Sequence, residues 1–246
     1  MKKHKICKIL LVILAIFLCV AFYELLGICV AYKKQPEVSN TTKKETKNGS
    51  WNECSENTER AVIIEKNPEA LLQRVRLIKN AKKEIILSTF AFQSDESGKL
   101  ILGALHDAAD RGVHIRLLVD GMESWIDMEG NPYFYGLSSH ENVEIKLYNK
   151  ANPLKPWKMM GRMHDKYLIA DGKRYILGGR NTYNYFLGDF PGHKNYDRDV
   201  LVVCDEPEKE NSVNQLLEYF ETIWEQEDSD YFHDNKKLAN RKSVKN

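Results

Sequence analysis

A layered α/β domain behind one membrane-spanning helix is the fold class that this sequence predicts. Two observations carry it. After residue 60, short runs rich in β-branched and aromatic residues alternate with stretches whose leucines recur at helical spacing. Ahead of them stands an unbroken apolar run from Ile9 to Tyr32, in which Glu24 is the sole charge. No short-period repeat points instead to a solenoid.

The apolar run is long enough, at the rise of an α-helix, to cross a bilayer. A cleaved signal peptide has a shorter apolar core that ends at small residues. Ile28 is too bulky for Cys29 to mark a lipoprotein cleavage site. Residues 1–32 therefore read as an uncleaved single-pass anchor that places the protein at a membrane. Lys2, Lys3, Lys5 and Lys8 favour a cytoplasmic N-terminus, but Lys33, Lys34, Lys43, Lys44 and Lys47 flank the other end, so the side of the domain stays open. Residues 33–60 are polar and read as a tether.

Residues 61–230 read as the folded domain. Ala61–Ile64 is a short apolar run. Asn67-Pro68-Glu69 opens a helix, with Asn as cap and Pro in the first turn, and Leu71, Leu72, Val75 and Ile78 follow along one face. Glu84–Phe92 reads as a buried strand. A loop, Ser94–Gly98, leads into a helix carrying Leu100, Leu102, Leu105 and Ala109, which Arg111-Gly112 stops. VHIRLLVD and VEIKLY are strands, and Asn149–Arg162 is irregular, with Pro153 and Pro156. Tyr167–Ala170 and Tyr175–Leu177 form a pair joined at Asp171-Gly172. Asp199–Cys204 is a last strand, and Glu208 to about Gln226 a last helix. Residues 231–246 are a polar tail.

The 246 residues carry a net charge of +1, unevenly spread: nine Lys and three Glu fall in the first fifty positions, which leaves 27 basic against 32 acidic residues afterwards. A domain built to bind phosphate backbones is usually basic, so this balance weighs against a dedicated nucleic-acid binder. Of five cysteines only Cys54 and Cys204 lie outside the anchor, too few for a disulfide framework, and their pairing is left open.

The stretch RMHDKYLIADGKRYILGGRN, Arg162–Asn181, concentrates the chemistry. Taken singly, its residues suit a hairpin: Asp171-Gly172 as the turn, His164 and Lys166 on a strand surface, Gly178 and Gly179 at a strand end. Taken together they suit a phosphate pocket. Residues i and i+2 of a strand face one side, which would aim His164 and Lys166 into one space. There the ring can attack phosphorus while the ammonium and the Asn181 amide stabilise the phosphoryl oxygens. Glycines at 178 and 179 would let backbone approach the ligand.

His164-x-Lys166-x4-Asp171, followed by Gly178-Gly179-Arg180-Asn181, resembles the HKD signature of the phospholipase D superfamily. AADRGVHIRLLVDG, VEIKLYN and DRDVLVV extend the likeness to the N-terminal half of bacterial cardiolipin synthases, over about Pro68–Cys204. The resemblance implies an α/β/α sandwich with a mixed central sheet and a phosphodiesterase that hydrolyses phospholipid or transfers its phosphatidyl group through a phosphohistidine. It makes His164 the nucleophile and Lys166, Asn181 and Gly179 the phosphate-binding residues. Asp171 would be a supporting member of the catalytic set. No metal or cofactor is implied. Such sites use two His-x-Lys motifs, and His4, His106, His114, His140, His193 and His233 all lack a Lys two residues on. The missing half would come from a second copy in a homodimer or from another chain; otherwise the chain is an inactive half-site subunit. A single-motif endonuclease is the alternative activity. Arg180 reads first as an ion-pair partner of Asp197 or Asp199, with added positive potential in the pocket as the alternative; His193 reads as a solvated loop residue and His114 as packed. The Ala151–Arg162 loop, with Lys155, Trp157, Lys158, Met159, Met160 and Arg162, reads either as a disordered connector or as an interfacial segment.

Overall fold

The computed structural model describes residues 2–33, 39–40, 43–44, 59–206 and 211–233. They fall into two units, one made of residues 1–55 and 151–161, the other of 56–150 and 162–246. Most of the 33–60 tether, Cys54, the start of the last helix at Glu208 and the tail beyond His233 lie outside the described residues.

In the first unit, helix α1 runs from Lys2 to Lys33. Its Lys5–Ala31 segment is long and apolar enough to cross a membrane, and the apolar window is wholly uncovered by protein. Near the other end of α1, the segment 151–161, which includes a 3₁₀ turn at Pro156–Lys158, packs against Gly27.

The second unit is built on one eight-stranded sheet. Its elements in order are β1 (Glu59–Ile64), α2 (Asn67–Asn80), β2 (Glu84–Thr89), α3 (Glu96–Asp110), β3 (His114–Asp120), α4 (Gly121–Asp127), α5 (Pro132–Ser138), β4 (Val143–Tyr148), β5 (Lys166–Ala170), β6 (Arg174–Gly178), β7 (Asp199–Cys204), α6 (Ser212–Trp224) and β8 (Ser229–Tyr231). The strand order is β1-β7-β6-β5-β2-β3-β4-β8. β2, β3 and β4 are parallel and the other pairings antiparallel, so the sheet is mixed.

Side chains that alternate along the central strands bury both faces. Ile85 and Leu87 of β2 join Ile115 and Leu117 of β3 under α2, α3 and α5 through Ile78, Leu105 and Phe134. Ile86 and Leu118 face the other way, onto Val213, Phe220 and Trp224 of α6. The result is the α/β/α layering that the sequence led us to expect. Burying Phe220, which is 0% exposed, contributes about 3 kcal/mol by its area.

Several local expectations change. Asn67 does not cap α2: Lys66 holds the N-cap position without a side-chain bond. Asn67 is instead buried, donating to Asn195 O and accepting from Arg180. The expected strand Glu84–Phe92 stops at Thr89. Residues 121–138 form two short helices, capped by Asp120 and Asn131, where no element was assigned. Cys204 is buried and free.

Candidate functional site

One end of the sheet gathers the chemistry. The antiparallel pairing of Thr89 with Lys166 and of Gly178 with Asp199 sets the last residues of β2 and β6 beside the first residues of β5 and β7. The parallel β3 ends there too, at Asp120.

β5 begins at Lys166, so His164 lies ahead of the strand rather than on it. The cause is that β2 runs out of ladder at Thr89: the chain bends at Phe90, and Phe92 bridges to Thr182 instead. The segment before β5 is anchored otherwise. Asp120, 0% exposed, accepts from Met163 N at 3.1 Å and lies 3.2 Å from Arg162 Nε. Its other oxygen accepts from Met122 N at the start of α4. Burial pushes the Asp120 carboxyl pKa up, against the pull of Arg162 and of these N–H groups. Ser88 Oγ meets Met163 Sδ at 3.5 Å and completes the seat.

From that seat the His164 ring stands exposed and meets the Phe90 ring edge-on, with centroids 4.7 Å apart. Lys166 reaches the same ring, Nζ 5.3 Å from the Phe90 centroid, and donates to the His164 carbonyl at 2.6 Å. The two functional groups thus converge on Phe90, though not through the i, i+2 alternation of a strand. Lys166 is only 5% exposed, and burial lowers its ammonium pKa from 10.5 to about 8 against the opposing charges of Asp165 and Asp197. It is still mostly charged at neutral pH, held in a place where water does little to screen it. Asp165 in turn accepts from Tyr219 OH at 2.9 Å; burial, then this bond, pushes the phenol up to about 12.

Asn181, 7% exposed, accepts from Ala91 N through Oδ1 at 3.3 Å. That bond fixes the amide and leaves its N–H groups as donors next to the Phe90 turn. His164, Lys166 and Asn181 are therefore gathered around one short segment, Phe90-Ala91.

Asp171 is not with them. It sits at the far end of β5, in a tight hairpin with φ of 55° at Asp171 and 59° at Gly172. The carboxylate accepts from the backbone N–H groups of Lys82, Lys83 and Glu84 at 2.7–3.1 Å, which ties the start of β2 to the hairpin.

The two glycines border acidic side chains. A Cβ on Gly179 would collide with the carboxylate of Asp197, and one on Gly178 with Asp199. Their bareness admits acidic side chains. Arg180 is buried at 1% exposure, 3.2 Å from Asp199, and donates to Asn67, Ile64 O and Glu65 O. Arg74 meets the same Asp199 oxygen at 2.8 Å. Arg180 thus takes the ion-pair role, with Asp199 as its partner.

His193 is exposed near Tyr185. His114, 44% exposed in its side chain, pairs with Glu144 and Glu84 at the sheet end remote from Lys166 rather than packing. Among the described residues no cluster of His, Cys, Asp and Glu could hold a metal ion. Phe90 and Asp120 were not singled out from sequence. The signal was there for Asp120, a lone carboxylate closing the apolar strand HIRLLVD before a glycine.

Residues 74–224 match the family model described as "Cardiolipin synthase, PLD-like domain". Cardiolipin synthase C of Escherichia coli K12 is 29% identical over 171 residues, covering 64% of this chain and 34% of the relative. Cardiolipin synthase 1 of Staphylococcus aureus MRSA252 is 34% identical over 117 residues, covering 47% of this chain and 23% of the relative. A Helicobacter pylori protein without an assigned role is 34% identical, covering 52% of this chain and 28% of its own length. The chain thus spans about a third or less of these relatives. Among solved structures, the phospholipase D family member Nuc of Salmonella typhimurium superposes with a TM-score of 0.51 at 20% identity, over 71% of this chain and 99% of Nuc. Phosphatidylserine synthase of Haemophilus influenzae gives 0.55 at 18%, over 76% of this chain and 42% of the synthase. At these identities the likeness is one of fold.

Proposed function

Because the chain belongs to the cardiolipin synthase, phospholipase D-like domain family, we propose that it is a membrane-anchored phosphodiesterase acting on phospholipid through His164. The observation that carries the reading is the convergence of the His164 ring and the buried Lys166 ammonium on Phe90, with the Asn181 amide fixed one residue further on. A ring nitrogen of His164 forms a bond to phosphorus, and the bond from phosphorus to the leaving alcohol oxygen breaks. Lys166 and Asn181 stabilise the charge on the remaining oxygens. A low-polarity seat gives that ammonium more effect than it would have in water. Asp171 supports the step from a distance by holding β2 and β5 in register.

The leaving oxygen needs a proton, and this chain offers no second His-x-Lys to give it. We assign that role to His164 of a second copy, related by a twofold axis. In the second half-reaction the same ring takes a proton from water or an alcohol, whose oxygen displaces His164 from phosphorus.

Helix α1 and the acidic balance after residue 50 favour lipid over nucleic acid. The test uses the purified full chain in detergent with labelled phosphatidylglycerol and, in parallel, single-stranded DNA. Lipid turnover that disappears in His164→Ala and Lys166→Ala supports the proposal. Cleavage of DNA alone replaces it with an endonuclease. No turnover of either, with a monomer by light scattering, rejects the homodimeric site.

A further inference from the structure

We propose that the segment Asn152–Gly161 docks onto α1 at the boundary of the bilayer and seats Leu154, Trp157 and Met160 in the interface of a membrane containing anionic lipid. The proposal rests on the reading of α1 as a membrane span.

Packing comes first. Gly27 is buried in a helix whose other side chains are almost all uncovered. A Cβ there would lie 2.6 Å from Pro156 Cβ and 3.1 Å from Trp157 N, so only glycine admits the segment this closely. One turn earlier, Tyr23 OH donates to Leu154 O at 3.0 Å. The contact therefore runs along the last turns of the apolar stretch.

Depth comes next. A hydrocarbon core of about 30 Å, counted from Ile9 at about 1.5 Å per residue, ends near residue 28. Gly27 falls at that boundary, and the segment packed on it lies at the depth of headgroups and first methylenes.

The segment is suited to that depth. Leu154 is 78% exposed, Met160 56% and Trp157 45%, an apolar surface out of keeping with water on a ten-residue turn. Trp favours this zone, and Lys155 and Lys158 add cations that anionic headgroups attract. Irregular backbone near hydrocarbon must satisfy its own polar groups. Here Leu154 N donates to Asn152 Oδ1 and Lys155 N to Asn152 O, both at 2.9 Å. Lys158, Met159 and Gly161 N–H groups donate to carbonyls three residues back at 2.9–3.1 Å. Pro153 and Pro156 have no N–H to satisfy. Gly161 stands three residues ahead of His164 in the sequence, so the docked segment leads directly into the motif.

Tryptophan quenching by brominated phosphatidylcholine in vesicles with phosphatidylglycerol tests this on the full chain, with vesicle flotation read alongside. Wild type is expected to float and to be quenched. Trp157→Phe should still float but lose most of the quenched component, and Gly27→Val, which keeps α1 apolar, should lose it as well. Flotation with the quenched component unchanged in Trp157→Phe overturns docking and leaves the anchor standing. Failure to float overturns the anchor and the docking together. Phosphodiester turnover enters neither reading, so loss of the proposed activity is a separate result.

Discussion

Replacing Lys166 with Met is expected to abolish turnover and, at neutral pH, to make the protein more stable. The ammonium is 5% exposed, and its pKa falls from 10.5 to about 8 chiefly because burial disfavours charge. That fall corresponds to about 3 kcal/mol that the fold loses by keeping the group ionised. The folded state has the lower pKa, so below pH 8 both states hold the proton and the full cost is present. Between about 8 and 10.5 the folded protein releases the proton first, and its stability rises relative to Lys166→Met. Above that window both are neutral and the cost is gone. Met fills nearly the same volume without charge and gives up the charge-assisted bond to the His164 carbonyl, worth about 2 kcal/mol. The net gain at pH 7 is therefore about 1 kcal/mol. Urea or thermal denaturation of full-length wild type and variant in one detergent, from pH 7 to 10, measures it. A variant less stable than wild type at pH 7, or a difference that does not shrink as pH rises, refutes the reasoning. Wild-type turnover should decline as pH passes about 8, where the ammonium is lost.

Other substitutions separate chemistry from support. His164→Ala removes an exposed ring, so denaturation should move by no more than about 0.5 kcal/mol, while turnover falls on the order of a thousandfold or more. Asp171→Ala deprives three backbone N–H groups of their acceptor and should cost about 1–3 kcal/mol of stability. Assayed well below its melting temperature, it should retain most of its turnover; a loss as deep as that of His164→Ala would put Asp171 in the reacting set. Gly179→Ala should destabilise by about 1–3 kcal/mol through collision with Asp197, and Asp197→Ala in the same chain should restore much of it. An uncoupled pair of effects in that double-mutant cycle would contradict the contact.

The layered architecture was legible because period-2 and period-3.6 patterns are local, and the central strands carry them on both faces. The Asp171-Gly172 turn was legible for the same reason: two adjacent residues with positive φ leave a short list of side chains. What could not be read was decided by partners distant in sequence. Asn67 looks like a cap, yet Arg180 and Asn195, more than a hundred positions away, claim its amide. Gly179 looks like room for a ligand until Asp197 is seen filling it. His164 looks like a strand residue because nothing local reveals that β2 ends opposite Lys166. In each case composition named the residue, and long-range packing set its task.

The bond from Lys166 Nζ to the carbonyl of His164 lets the side chain proposed to host the anion also hold the peptide unit of the proposed nucleophile. The ammonium has three N–H donors, so on the proposed reading two remain for an incoming phosphate while the third keeps the peptide unit of His164 in place. Binding of the anion and bracing of the histidine backbone would then share one side chain, and Lys166→Met would remove both.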